Sequence, residues 1–306
     1  MKSLTASSLP HAAATENGAR IEDYLALAKP RVMSLVVFTG AVGLTVAPGS
    51  IHPLLAAVAI LCIALAAGGS AAVNMWYDRD IDAMMTRTRR RPLPQGKMEP
   101  SAALEFGCAL IALSVLLMAL AVNWMAALLL AVAAAFYIFV YTIWLKRRTP
   151  ANIVIGGAAG AFPPLIGWVA VTGQIDSPAL LLFLIIFLWT PPHFWSLALY
   201  RNDDYRRAGV PMLPVTHGEQ RTKSEILAYS LMLVPVTLLP SFTGITGDIY
   251  LVGAGLLGAG LIGMALRLWR QEGHKSARPM FAYSILYLSL LFGLMLAEQA
   301  IKAWQS

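Results

Sequence analysis

Long apolar runs recur along this chain, separated by short stretches rich in proline, glycine and arginine. A helix needs about 20 apolar residues to cross the ~30 Å hydrocarbon core of a bilayer. Nine stretches qualify, with soft edges: 32–48, 53–77, 102–121, 124–145, 151–171, 178–200, 225–245, 248–268 and 278–301. Tight turns such as Pro48-Gly49-Ser50, Thr172-Gly173-Gln174 and Thr246-Gly247-Asp248 join neighbours, and Pro100, Pro150 and Pro178 fall where a first helical turn accepts proline. The expected class is all-α: a polytopic membrane protein with nine transmembrane helices in one bundle. A tail over 1–30 precedes a single transmembrane domain over 31–306.

Composition excludes a soluble domain, since 58% of residues are hydrophobic, 13% are charged and the mean hydropathy is +0.66. Cys62 and Cys108 lie inside apolar runs and read as buried small hydrophobes, with no disulfide implied. Met1 to Arg20 is polar and lacks the apolar core of a signal peptide. Its acids and sparse arginines also argue against an organelle transit peptide, so it reads as a disordered cytoplasmic tail.

The net charge of +7 is explained by position. Lys and Arg number 4 in residues 1–31, 6 in 78–100, 3 in 146–148, 5 in 201–223 and 4 in 267–278, which leaves only Lys302 of the 23. With nine spans all five segments share one side. Positive charge stays inside, which puts the N-terminus in the cytoplasm and the C-terminus in the periplasm. The basic excess is a topogenic signal, so the lipid bilayer is a partner and nucleic acid is not. The tail composition favours a bacterial inner (plasma) membrane.

Chemistry concentrates where the second and sixth runs end. Asn74, Asp78 and Asp82 are four apart, so one helix face carries all three. Acids at the mouth of a membrane helix are costly and usually functional. Two stacked carboxylates repel unless a cation lies between them, and hard oxygens with room for phosphate oxygens suit Mg²⁺. Asp78 and Asp82 are the candidate metal ligands, with Asn74 a ligand or a hydrogen-bonding partner of a diphosphate. Asp80 is turned about 160° away at 100° per residue and is left to pair with Arg79 or a neighbouring arginine. The bland alternative is a solvated acidic loop held by surface salt bridges.

Shifting the chain by 126 residues lays Tyr200-x-x-x-Asp204 over Asn74-x-x-x-Asp78. Two similar four-helix halves plus a ninth helix would place a site where the halves meet. Asp203-Asp204 is then a second metal-binding pair, with Asp204 the better placed; the competing reading is helix-end charge at the interface. Two acidic clusters would hold two Mg²⁺ ions against one diphosphate. Arg87, Arg89, Arg90 and Arg91, with Lys146, Arg147 and Arg148, are its natural partners, although the same bases serve as topogenic anchors. Lys146 and Arg147 sit nearest a helix end and rank first.

Thr190-Pro191-Pro192-His193-Phe194-Trp195 interrupts the sixth run, where two prolines should kink a helix and free backbone carbonyls. His193 is a packed, hydrogen-bonded histidine or a contact to a large substrate. Tyr137, Tyr141, Trp144, Phe194 and Trp195 would line an apolar cavity or anchor helix ends at the interface. Asn152 opens a small-residue stretch, Gly156-Gly157-Ala-Ala-Gly160, read as close packing, and Asn152 itself lies near enough to the cytoplasmic face to reach the site.

These residues resemble the intramembrane UbiA-type prenyltransferases of quinone pathways, with Asn74-x-x-x-Asp78-x-x-x-Asp82 as the first aspartate-rich motif. The similarity is greatest to the branch that farnesylates protohaem IX to haem O. It rests on the run Arg87-Thr88-Arg89-Arg90-Arg91-Pro92, on Tyr141-Thr142 to Leu145-Lys146-Arg147 with Asn152-Ile-Val-Ile-Gly-Gly, on Pro191-Pro192-His193-Phe194-Trp195, and on Asp203-Asp204-Tyr205 to Ala208-Gly209-Val-Pro211-Met212-Leu213-Pro214. Quinone-pathway members usually carry Asp-x-x-x-Asp in the second motif, and here Tyr200 stands at its first position, which puts a second Mg²⁺ in doubt. The resemblance implies farnesyl diphosphate and haem B as substrates and Mg²⁺ as cofactor. It gives catalytic roles to Asn74, Asp78, Asp82, Asp204, Lys146 and Arg147. Arg87, Arg90, Lys146, Arg147 and Asn152 would bind diphosphate, and His193, Tyr137, Tyr141, Trp195 and Tyr200 would bind haem or prenyl chain. A haem A synthase or a terminal oxidase assembly is the downstream partner it suggests. Prenylation of a quinone precursor and ion-coupled transport are the rival functions. Transporters usually bind near the midplane, whereas these acids sit at helix ends.

Overall fold

The computed structural model describes residues 19–305, so the expectation for Met1 to Arg20 lies almost wholly outside it. Among the described residues the elements are helices, in chain order α1 (Ile21–Leu27), α2 (Pro30–Val46), α3 (Pro53–Tyr77), α4 (Arg79–Met84), α5 (Pro100–Ala121), α6 (Trp124–Ala135), α7 (Asn152–Thr172), α8 (Ser177–Tyr200), α9 (Asn202–Arg207), α10 (Leu213–Phe242), α11 (Asp248–Arg270) and α12 (Ala277–Gln305). A π-helix, Phe136–Leu145, continues α6.

Eight of these helical spans are long and apolar enough to cross a bilayer, and α1 with α2, bent by 54°, makes a ninth. The chain is a multi-pass membrane protein. The first span differs from expectation. It begins within the presumed tail, breaks at Lys29 and restarts at Pro30, because proline cannot continue the hydrogen-bond ladder of a preceding helix. The seventh also starts earlier, at Leu213, and is broken at Gly218 (φ 80°, ψ 171°).

Local sequence sets these ends. Pro53, Pro100 and Pro178 sit in first turns, where a missing N–H costs nothing. Asn123 caps α6 by accepting from Ala126 N at 2.8 Å, and its amide donates to Val169 O and Ala170 O, which ties α6 to the end of α7. Helix α8 continues as one element through Pro191-Pro192.

Helix α3 packs on α5, α2 on α7, α7 on α8, and α8 on α10 and α12, while α12 returns to α2. The most apolar stretches of α7 and α8 are 72% and 67% buried against 22% for α5, so α7 and α8 form the interior and α5 faces lipid. Cys62 is buried, but Cys108 on α5 is exposed, correcting the expectation for that residue: its helix face is the outer one. Lipid tails are as apolar as leucine, so packing at small residues must hold the bundle together. A Cβ on Gly43 would lie 2.6 Å from Pro164 Cα, and one on Gly69 the same distance from Gly107 O. Those glycines let α2 reach α7 and α3 reach α5.

Candidate active site

Asn74 is 4% exposed near the end of α3, and its side chain is held on both sides. Its Nδ2 donates to Asp78 Oδ2 at 2.7 Å and to Thr142 Oγ1 at 3.2 Å, and its Oδ1 accepts from Lys29 Nζ at 3.1 Å. The helix yields at Asp78 (φ −90°, ψ 8°), but Asp82 N still donates to Asp78 O at 2.8 Å, so the four-residue register continues into α4. Asp78 is fully buried and paired with Lys146, with Arg147 Nη2 at 3.4 Å.

The π-helix explains how Lys146 arrives there. Its wider turn carries Lys146 N to Tyr141 O at 2.9 Å and Thr142 Oγ1 to Tyr137 O at 2.9 Å. These wider turns bring both Thr142 and Lys146 to α3, and π segments often mark functional sites. Apolar periodicity alone does not reveal a π segment, so the sequence showed a plain helix here.

Arg147 grips Asp80 with two hydrogen bonds of 2.7 Å and lies 4.8 Å from the centre of the Tyr77 ring. The hydrogen bonds from Arg147 hold the Asp80 carboxyl below its ordinary range against the effect of partial burial, and Asp80 in turn raises the Arg147 guanidinium. Asp80 thus pairs with the distant arginine and not with Arg79, which donates to Trp76 O at 2.7 Å. Asp82 is 2% exposed and accepts from Arg91 Nη1 at 2.5 Å. Arg91, not Arg90, is therefore the buried-site member of the arginine run; Arg87 and Arg90 are exposed and make no ion pair among the described residues.

The second acidic cluster sits on α9, a six-residue helix that follows α8 as α4 follows α3. Asp204 is 5% exposed, accepts from Thr86 N at 3.3 Å and pairs with Arg207, which also donates to Thr86 Oγ1 at 3.1 Å. The loops after α3 and α8 are thereby brought together, as the sequence match between them predicts. Burial pushes the Asp204 carboxyl up, but hydrogen bonding from Thr86 and the charges of Arg207 and Arg201 outweigh it and hold the group below its ordinary value. Asp203 points away: its side chain is 84% exposed beside Arg206.

The aromatic candidates do not form one lining. The rings of Tyr137 and Tyr141 lie 5.4 Å apart on the π-helix, tilted by 34°, with Tyr141 laid against Gly156. Trp195 packs edge-on against Tyr229 of α10, two residues round the helix from His193. Trp144 is 55% exposed and lines no interior surface. Tyr200 meets Phe281 of α12 at 5.9 Å.

His193 is sandwiched between Trp189 and Phe281, with ring centres 4.2 and 4.5 Å away, and its Nδ1 lies 2.8 Å from Ser284 Oγ. Ser284 Oγ donates its single proton to Phe281 O at 2.7 Å, so it must accept from His193 Nδ1–H. The Nε2 lone pair is then left without a protein partner. Asn152 is fully buried; its Nδ2 donates to Thr149 O at 2.6 Å and its Oδ1 has no partner.

These oxygens suit a hard divalent cation in kind. Asp204 Oδ2 is buried with no hydrogen-bond partner, an acceptor that a cation would satisfy. They are not gathered into one nest: among the described residues no three His, Cys, Asp or Glu side chains converge as a metal group, and each of the three carboxylates is held by a base. Arg91, named from the sequence only as one of several bases for a diphosphate, and Thr142, quoted only within a motif, complete the constellation with Lys29, Arg207 and Thr86, which were not singled out. Only the placement of Lys29 beside Pro30 hinted that the chain turns there.

Fold and site together describe an integral-membrane protein that gathers acids and bases at one end of a helical bundle. Residues 36–292 match the UbiA prenyltransferase family, and the chain belongs to that family. It is a prenyltransferase. It is 57% identical over 283 residues to a protein named protoheme IX farnesyltransferase from Parvibaculum lavamentivorans, covering 91% of this chain and 89% of that one. A protein of the same name from Acidiphilium cryptum is 54% identical over 93% of this chain and 92% of its own. Among solved structures, a digeranylgeranylglyceryl phosphate synthase superposes with a TM-score of 0.77 at 20% identity, covering 91% of this chain and 98% of that one. A UbiA homologue from Archaeoglobus fulgidus bound to DMAPP and Mg²⁺ gives 0.64 at 19% identity, over 89% and 99%. At these identities the structures speak for the fold.

Proposed function

We propose that this chain transfers the farnesyl group of farnesyl diphosphate to a vinyl group of protohaem IX, giving haem O at the cytoplasmic face of a bacterial inner membrane. The observation that carries the reading is the junction of the loops after α3 and α8, where Asp204 meets Thr86 and acids alternate with bases. The relatives more than half identical bear the name of this activity, which supports the substrate pair.

Asp78, Asp82 and Asp204 would hold Mg²⁺, which when bound helps neutralise diphosphate charge. Lys146, Arg147 and Arg91 would orient the diphosphate and stabilise the charge that grows as its bond to the farnesyl carbon breaks. The electron pair of that bond leaves with diphosphate. The haem vinyl carbon bonds to the resulting allylic cation; water then captures the cation left on the vinyl group and gives up a proton, leaving a hydroxyl. Tyr137 and Tyr141 offer ring faces near the Asn74–Thr142 contact that would favour an allylic cation. The Nε2 lone pair of His193 would meet haem iron or orient the macrocycle.

The test is turnover. Purified protein receives haem B, farnesyl diphosphate and Mg²⁺, and the haem extract is weighed by mass spectrometry. The expected result is a gain of one farnesyl group plus one hydroxyl that disappears with EDTA and returns with Mg²⁺. Unaltered haem, with prenylation of 4-hydroxybenzoate instead, would replace the proposed acceptor with a quinone precursor.

A further inference from the structure

Lys29 is the one non-glycine residue with positive φ among the described residues, at 49° with ψ 56°. It also precedes Pro30, and the residue before proline is itself restricted toward extended backbone. A side chain bearing a Cβ is thus held in an unfavourable conformation for two separate reasons. Such outliers persist where the surroundings over-determine them, and they cluster at ligand sites. Glycine would relieve the strain at once.

The surroundings that hold it are visible. Leu27, fully buried at the end of α1, packs with Ala72 and Met75 of α3, Ala103 of α5, and Leu93 and Met98 of the connecting loop, in a small core apart from the main one. Ala28 lies directly against α3, where a Cβ on Gly68 would come within 3.2 Å of its methyl. This docking of α1, with the 54° bend that follows, aims the Lys29 side chain inward to Asn74 Oδ1 at 3.1 Å. Burial and the charges of Arg91, Lys146 and Arg87 disfavour its ammonium, while the Asp82 carboxylate favours it. Lys29 at Asn74, Lys146 and Arg147 at Asp78, and Arg91 at Asp82 thus bring four bases from three parts of the chain to the Asn74–Asp78–Asp82 face. Their mutual repulsion is relieved by a polyanion more fully than by the two buried carboxylates alone.

We propose that Lys29 is a diphosphate-contacting residue, delivered from the break between α1 and α2, and that its bond to Asn74 Oδ1 positions the Asn74 amide between Asp78 and Thr142. The proposal rests on the prenyl-diphosphate reading above. It makes α1 part of the active site and not part of a tail.

The experiment is isothermal titration of the full chain with inorganic diphosphate in the presence of Mg²⁺, at several salt concentrations. The variants are K29G, which keeps the backbone conformation and removes the ammonium, K29M, which keeps the length, and K29R, which keeps the charge. K29G and K29M are expected to weaken diphosphate at least tenfold and to make its salt dependence shallower, while K29R recovers part of the affinity. K29G should also melt no lower than the unaltered protein, which separates loss of a contact from loss of fold. Unaltered affinity and salt slope in K29G and K29M would overturn the proposal and leave the prenyl-transfer reading standing. Failure of the unaltered protein to bind diphosphate at all would overturn both.

Discussion

Replacing Lys146 by methionine should harm this protein more than neutralising its partner, and the reason is an asymmetry of burial. The Asp78 side chain is fully buried, whereas the Lys146 side chain keeps 17% of its surface. K146M leaves a sealed carboxylate without its main counter-charge. Breaking a buried pair by removing one partner costs about 3–5 kcal/mol, because the remaining ion cannot be rehydrated. Arg147 Nη2 at 3.4 Å and Asn74 Nδ2 at 2.7 Å still hold the carboxylate, which places the expected loss near the lower end, about 3 kcal/mol. D78N leaves an ammonium that can reach water, so its cost is that of a charged hydrogen bond, about 1.5–3 kcal/mol. The double variant removes both charges and should be more stable than K146M alone. Thermal unfolding in detergent reads the order directly: for K146M a fall of roughly 6–10 °C is expected, for D78N a smaller one, and the double variant lies above K146M. Turnover should fall at least about 100-fold in all three, as for loss of a group that stabilises departing charge. K146M melting with the unaltered protein, or D78N melting below K146M, would refute the argument that Asp78 is a sealed charge.

Other expectations follow from single contacts. The Asp204 carboxyl is held below its ordinary value, so its contribution to stability is complete above pH about 4 and is lost as pH falls through the depressed folded value; D204N should flatten the melting temperature between pH 5 and pH 3, and an unchanged slope counts against the Thr86 and Arg207 contacts. A Cβ on Gly156 would lie 2.9 Å from Tyr141 Cγ, whereas one on Gly160 meets nothing within 4 Å; G156A should lower turnover and cost about 1–3 kcal/mol by overpacking, while G160A leaves both intact, with matched melting and turnover assays as the check. H193A should keep diphosphate affinity but weaken haem B binding in a Soret titration, and equal haem affinity would return His193 to packing. A reporter enzyme fused after Ser306 should be active only outside the cytoplasm; activity inside would overturn the orientation read from the arginines.

Much of the architecture was legible from residues alone. Membrane spans follow from local composition, because a bilayer demands about 20 apolar residues whatever they pack against. The two acidic motifs were also legible, since acids at helix ends are rare enough to stand out and a four-residue spacing already defines a shared face. The sequence placed Asn74 beside Asp78 in this way, and the structure has them 2.7 Å apart. It named Arg87 and Arg90 for the diphosphate, whereas the fold of the 85–97 turn pairs Arg91 with Asp82; consecutive residues in a loop have no fixed period from which to read that pairing. Nor could it find Lys29, whose contact with Asn74 depends on a left-handed backbone and on α1 docking against α3 and α5. The π-helix, the Asp80–Arg147 pair and the Ser284 contact that sets the His193 tautomer are likewise decisions of tertiary structure. Each joins residues distant in sequence or shifts a register by one, and hydrophobic periodicity carries no information about either.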